Sequence, residues 1–328
     1  MQYRLTHITE YHYGVAATVS HSAVHMLPRE VSNQTWQNFD LIITPTPDVF
    51  QKHVDFFGNS AAFAAVQQPH KQLIIKLVGT VDVQPRQPLL QNMSRPWEQV
   101  RDKLITDLTN DGLDAYQYCF DSPLAPGLQM LQAYTLKSFT PGRPILDAAK
   151  DLSERIHVDF KFDPTSTTIL TTVQKVFEQR SGVCQDFAHL MIACLRSLDL
   201  PARYVSGYLR TYPPPGKPRL IGADASHAWA AVYCPDNGWV DFDPTNSQIV
   251  NNDHITLAWG RDFEDVSPVK GVVLGGGNHQ IRVSVDVEPL NTSTLAPVVG
   301  QNMSQSQSQS QPSTQSQLPS QSQSQNVN

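Results

Sequence analysis

Cys184, His227 and Asp243 are residues whose types and order could carry out covalent chemistry on an amide bond. A thiol is mostly protonated near neutral pH, and a neighbouring imidazole that removes its proton turns it into a nucleophile. A free imidazole could rotate and hold either tautomer, so a carboxylate on its second nitrogen is needed to orient it. Cys184 lies in SGVCQDFAHLMIACLRSLDLPARYVSGYL, residues 181–209, where Phe187, Leu190, Met191, Cys194, Leu195 and Leu198 fall on one stripe. That period predicts a buried helix from about Cys184 to Leu198, ended by Leu200-Pro201, with Cys184 in its first turn. Unpaired N–H groups and the macrodipole at this end favour a thiolate. Gly182, just before it, allows close backbone approach, useful where a substrate carbonyl must meet the sulfur.

The base and its orienting acid come from ADASHAWAAVYCPDNGWVDFDPTN, residues 223–246, which reads as a hairpin. Its first strand places His227, Trp229, Ala231 and Tyr233 on one face. A two-residue turn at Asn237-Gly238 would pair Asp236 with Trp239 and hence Asp243 with Val232, the wrong face for His227. A direct pairing of His227 with Asp243 instead requires an odd-length loop centred near Pro235, with Asn237-Gly238 supplying a left-handed bulge. Asp241 shares the parity of Asp243 and is the alternative orienting group.

The remaining candidates have plainer readings. Cys194 is mid-helix on the apolar stripe and reads as a buried thiol, while Cys119 and Cys234 have no nearby base in the sequence. His189 is off the main stripe of the Cys184 helix and reads as a structural histidine. A zinc site from Cys184, Cys194, His227 and Cys234 fits by residue type but lacks the paired ligands at short spacing that structural zinc sites use. No metal and no cofactor are therefore expected. Asp186 and Asp224 could shape a substrate entrance or solvate helix and loop ends.

GVCQDFAHLM, SHAWAAVY and GWVDFDPTN are similar, in order and spacing, to the three catalytic blocks of the transglutaminase-like superfamily. HITEYHYG, DFFGN, GRDFEDVSPVKGV and GGGNH also resemble the bacterial branch with a β-rich N-terminal region, so the likeness extends over nearly all of residues 1 to 290. The resemblance implies a papain-like core, a Cys-His-Asp triad and amide chemistry through an acyl-thioester. By match to the motif, Cys184, His227 and Asp243 inherit the triad roles, and Asp243 is preferred to Asp241.

The elements that must position these residues form an α+β chain. Residues 1–85 carry short alternating runs broken by Pro45, Pro47, Gly58-Asn59 and Pro69, the pattern of an antiparallel β-sandwich. Its six histidines are scattered among strands without a cysteine, so it is expected to contribute no triad member and to wall the cleft or dock substrate. Residues 86–96 are Pro-rich and read as a linker. Residues 97–290 form the catalytic domain, with helices at 97–108, 128–139, 145–157 and near 173–179. The 145–157 helix turns Ile145, Ala148, Ala149, Leu152 and Ile156 inward, and one alternating strand from about Gly271 to Pro289 closes the fold. Residues 291–328 are Ser, Gln, Asn and Pro-rich, with little to bury, and are expected to be a disordered tail.

Composition narrows the partners. The 328 residues carry a net charge of −6, with no dense Lys/Arg cluster to neutralise phosphates, which argues against nucleic acid. The start lacks the features of a secretory signal, and no stretch approaches the roughly 18 continuous apolar residues of a membrane span. The four cysteines are too sparse to staple a chain of this size and read as free thiols of a cytoplasmic protein. A peptide or protein substrate is expected. Transfer of the acyl group to water makes a protease or amidase; transfer to an amine makes a cross-linking transglutaminase. Hydrolysis is preferred because water is always available and no lysine-binding groove is evident, and a scaffold without turnover has no need of all three residue types.

Overall fold

A computed structural model describes residues 1–86, 94–212 and 224–290. The first strand, β1 (Gln2–Val24), is followed by β2 (Gln34–Thr44), β3 (Val49–Val54), β4 (Ser60–Val66) and β5 (His70–Val83). Next come α1 (Trp97–Leu104), α2 (Asn110–Tyr116), α3 (Gln132–Thr135), α4 (Ile145–Asp159), β6 (Lys161–Phe162), α5 (Val173–Gln179), β7 (Ser181–Gly182) and α6 (Cys184–Arg196). The chain ends through β8 (Ala202–Leu209), β9 (Ala225–Cys234), β10 (Gly238–Asp243), β11 (Gln248–Ile249), β12 (His254–Gly260), α7 (Phe263–Val266), β13 (Val269–Gly275) and β14 (His279–Pro289).

The N-terminal strands form a seven-stranded antiparallel sheet organised by β1, whose length lets it serve two sets of partners. Its first half lies between β5 and β14, and its second half between β4 and β13. Buried side chains occupy odd positions at Tyr3, Leu5, His7 and Thr9, then even positions at Ser20, Ser22 and Val24. The change of phase coincides with a register shift between Ala17 and Val19 against β13, as a bulge requires. The sandwich read from the sequence thus takes the form of two four-stranded halves sharing β1, with Leu5, Ile75 and Leu77 meeting Ala62, Ala64 and Val66 in one core.

The expected closing strand from Gly271 to Pro289 needs correction, and with it the assignment of those residues to the catalytic domain. β13 and β14 run one after the other along β1, interrupted by Gly275, Gly276 and Gly277, all at positive φ. They extend the N-terminal sheet. Such pairing between the two ends of a chain leaves no local trace in a strand's own alternation. Of the Pro-rich linker, residues 87–93 lie outside the described residues, as does the tail at 291–328.

In the second region α4 and α6 pack on an antiparallel sheet of order β11-β10-β9-β8-β12. α4 buries Ile145, Ala148, Ala149, Leu152 and Ile156 completely, as its period implies. α6 is buried on nearly all sides, Ile192 and Ala193 as fully as Leu190, because helices cover the face that the sheet does not. The expected 128–139 helix is reduced to a 3₁₀ turn at Gln129–Leu131 followed by the four residues of α3.

The regions are joined along β12, the edge of the five-stranded sheet. The Gln34 carboxamide donates to the Thr256 carbonyl at 2.6 Å and accepts from its N–H at 2.9 Å. Asn59 does the same for Trp259, at 2.8 and 3.0 Å. Two side chains of the N-terminal region thereby satisfy ladder groups that an edge strand would otherwise leave unpaired. Tyr208, Ile255 and Leu257 join the N-terminal core beneath them.

Candidate active site

α6 begins where its sequence can satisfy its first turn. Asp186, at the third helical position, reaches back so that its Oδ2 accepts from the Val183 N–H at 2.8 Å and from the Thr167 hydroxyl at 2.6 Å. A Cβ on Gly182 would lie 2.8 Å from that carboxylate, so the glycine makes room for the cap. This differs from the substrate-access role that the sequence suggests, and it assigns Asp186, buried at 3% exposure, to the helix start. Cys184 is left half-buried in the first turn, where its own N–H has no intrahelical partner.

The hairpin supplies the other two residues by a register between the two considered from sequence. Gly238 pairs with Cys234, Asp241 with Ala231 and Phe242 with Ala230, which closes a three-residue loop at Pro235, Asp236 and Asn237. Gly238 takes φ +70, the left-handed residue of such a loop. The loop is odd in length, as the parity argument demands, yet Asp243 falls one pair beyond Phe242, opposite Trp229. It is therefore a diagonal neighbour of His227 on the same face.

That diagonal is bridged by a hydrogen bond of 2.7 Å from His227 Nε2 to Asp243 Oδ2. His227 also interacts electrostatically with Cys184 at the start of α6. Burial alone would disfavour an imidazolium here; the bond to Asp243 and the interaction with Cys184 outweigh it and raise His227 to about 10. Asp243 is fully buried, yet donors hold it well below the usual carboxylate range against its desolvation. Oδ2 accepts from His227, from His254 Nε2 at 3.1 Å and from Asn246 Nδ2 at 2.7 Å, while Oδ1 accepts from the Thr245 and Asn246 N–H groups.

His254 and Asn246 were not singled out from the sequence. Asn246 closes the DPTN block three residues after Asp243, a spacing that could have suggested an Asx-type contact. His254 opens an apolar strand eleven residues later, with no local signal of its partner. His227, Asp243 and His254 place donor atoms within 4.8 Å of one another, a spacing open to a metal ion as well. Here each imidazole already donates to Asp243, and these hydrogen bonds account for the cluster.

The other candidates fall elsewhere. Asp241 pairs with Arg86 at 2.6 Å and does not orient His227. His189 Nε2 accepts from the Phe263 N–H at 3.1 Å, and burial lowers it to about 4, so it is a neutral structural histidine. Cys194 and Cys119 are pushed up to about 12 by burial. Asp224 accepts from the Thr211 and Val287 N–H groups and ties β14 to the end of β8. Among the N-terminal histidines, His7 bonds to Tyr208 and His70 to Ser20.

Comparison with known proteins agrees with this architecture. Residues 133–244, which contain Cys184, His227 and Asp243, match the transglutaminase-like superfamily, and residues 3–82 match the bacterial transglutaminase-like N-terminal region. An uncharacterized Mycobacterium tuberculosis protein is 40% identical over 302 residues, spanning 90% of this chain and 95% of its own. The protein-glutamine gamma-glutamyltransferase of Pseudomonas aeruginosa is 38% identical over 71 residues, 21% of this chain and 11% of that protein. The crystal structure of a Cytophaga hutchinsonii protein, provisionally named a cysteine protease, shares the fold with a TM-score of 0.71 at 21% identity, covering 89% of this chain and 92% of that one. A helix bearing the cysteine on a sheet bearing the histidine and aspartate, both matched regions and full-length kinship together make this chain a member of the transglutaminase-like superfamily with a bacterial transglutaminase-like N-terminal region.

Proposed function

We propose that the protein is a cysteine-dependent amide-bond hydrolase, a protease or amidase, in which Cys184 is the nucleophile, His227 the base and Asp243 the orienting acid. The observation that carries this reading is the 2.7 Å bond from His227 to the buried Asp243 carboxylate, supported by the electrostatic interaction of His227 with Cys184. His227 takes the thiol proton and the sulfur attacks the amide carbonyl carbon. The oxyanion is held partly by the Cys184 N–H. The carbon–nitrogen bond then breaks, the amine leaves with the proton from His227, and an acyl-thioester remains. Water, deprotonated by His227, releases the acid and restores the thiol. No cofactor or metal enters this sequence. The substrate is a peptide or protein, and four unpaired cysteines support the cytoplasmic setting read from sequence. No helix of the described residues is long and apolar enough to cross a membrane.

Acyl transfer to an amine is the second reading, favoured by the name of the Pseudomonas relative. Both pass through the same adduct. Cell extract incubated with the protein and quenched in acid should yield an acyl group on Cys184 by mass spectrometry, absent from Cys184→Ser. Its absence from both would refute covalent catalysis. Chasing the adduct with a primary amine separates the readings: hydrolysis gives free acid, transfer gives a new amide.

A further inference from the structure

We infer that His254 is a positioning residue of the Cys184–His227–Asp243 site, acting through Asp243 to keep its carboxylate on the His227 ring. The inference rests on the proposed function and adds a fourth side chain to it.

The geometry fixes what His254 donates. His254 Nδ1 lies against Asn251, 3.3 Å from its Oδ1 and 3.4 Å from its N–H, whereas Nε2 faces the Asp243 carboxylate, which can only accept. Nε2 therefore carries a hydrogen and donates it to Asp243 Oδ2 at 3.1 Å. His254 is 1% exposed and Asp243 is fully buried, so no water competes for that oxygen. The edge of Trp229 packs against His254, with ring centroids 5.3 Å apart at 86°, which restricts rotation of the imidazole. Asn246 Nδ2 and the Thr245 and Asn246 N–H groups hold the Asp243 carboxylate from the turn that follows it, and none of them comes from another strand. His254 adds a donor to Oδ2 from a separate element, since Asp243 is on β10 and His254 begins β12. β12 is in turn held by Gln34 and Asn59, which makes His254 the link between the N-terminal region and the triad.

The titratable groups facing the His227 ring are Cys184 on α6 and Asp243 on β10, with the His254 ring 6.0 Å away at the start of β12. Losing the His254 donor leaves Oδ2 with His227 and Asn246 alone, loosens the His227–Asp243 contact and lowers the reactivity of Cys184.

Iodoacetamide alkylation of Cys184, followed against pH by peptide mass spectrometry on the full chain, tests this without a substrate. His254→Leu should move the alkylation midpoint up by about one pH unit and slow reaction at pH 6 by about fivefold. His254→Gln, whose amide N–H can reach the same oxygen, should restore most of the wild-type profile, whereas His254→Asn, which is too short, should not. In an Asp243→Ala background His254→Leu should add nothing, because its effect passes through the missing carboxylate. A purely structural histidine would lower the melting temperature of all variants alike and leave the profile in place. Identical Gln and Asn profiles, or an undiminished effect without Asp243, would overturn the inference. If His227→Ala leaves wild-type alkylation unchanged, the triad reading itself fails and this inference falls with it.

Discussion

Asp243 Oδ2 sits 2.7 Å from His227 Nε2 although the two residues are not paired in the β9–β10 ladder, where Asp243 falls opposite Trp229. The diagonal brings the two side chains together on one face of the sheet. It also makes the contact depend on side-chain reach rather than on backbone pairing.

Removing the reacting groups should therefore separate from removing their support. Cys184→Ser and His227→Ala should each abolish turnover, by about 10⁴-fold or more, with melting temperatures within a few degrees of wild type. Asp243→Ala should reduce kcat less than either while lowering stability more, because it strips partners from two buried histidines and three other donors. Steady-state kinetics with differential scanning calorimetry on the same preparations checks both halves.

The ion pair has a pH signature in stability. His227 is raised in the fold, so its contribution is complete below its unfolded value near 6.5 and is lost as pH climbs towards about 10. Asp243 is lowered, so its contribution is present above its unfolded value of about 4 and is lost as pH falls further. Melting temperature should peak between about pH 4 and 6.5 as far as this pair is concerned. Asp243→Asn should flatten the decline between pH 7 and 10; an unchanged slope would remove the pair as its source.

The cluster of His227, Asp243 and His254 is explained by hydrogen bonds, so dialysis against a chelator should leave alkylation of Cys184, and turnover once a substrate is known, within about twofold of the untreated protein. Loss of activity restored by a divalent cation would show instead that a metal occupies the three donors.

Gly207 pairs with His227 across β8 and β9, and a Cβ there would lie 2.2 Å from the Ile255 carbonyl and 2.5 Å from the Trp229 ring. Gly207→Ala should cost about 2 kcal/mol by overpacking and should move Trp229 against both histidines. Reduced Cys184 reactivity, together with a shifted tryptophan emission, is the expected readout.

Gln34 is some 150 residues from the cysteine helix, yet Gln34→Leu would leave the buried Thr256 N–H and carbonyl without partners, at a cost of about 1–3 kcal/mol. Because β12 carries His254, the same change should raise the alkylation midpoint of Cys184. Hydrogen exchange at Thr256 would show whether the edge has loosened.

What could be read from the sequence was what neighbouring residues settle among themselves. The stripe from Phe187 to Leu198 fixes the helix and sets Cys184 at its start, and period-two alternation puts His227 and Asp243 on one face whatever the exact loop, provided its length is odd. The register itself could not be read, because two pairings of equal parity differ only in how Pro235 to Asn237 bend. His254 was invisible because its partner lies across β10 and is reached through tertiary packing. The reading of Gly271 to Pro289 as one strand of the catalytic domain has the same cause, since β13 and β14 alternate as any strand does and nothing in them names β1.

Among the described strands, β1 is synthesised before the others and β13 and β14 after them. Until β13 has left the ribosome one side of β1 has no native neighbour along either half, and until β14 follows the apolar residues it shares with Val285 and Val287 remain uncovered. Contacts of such long sequence separation are slow to form and leave the nascent chain dependent on protection of that strand. A chain stopped just before β13 would carry every residue of the catalytic cluster and still expose an unpaired 23-residue edge, which makes truncations at this point aggregate rather than report on catalysis.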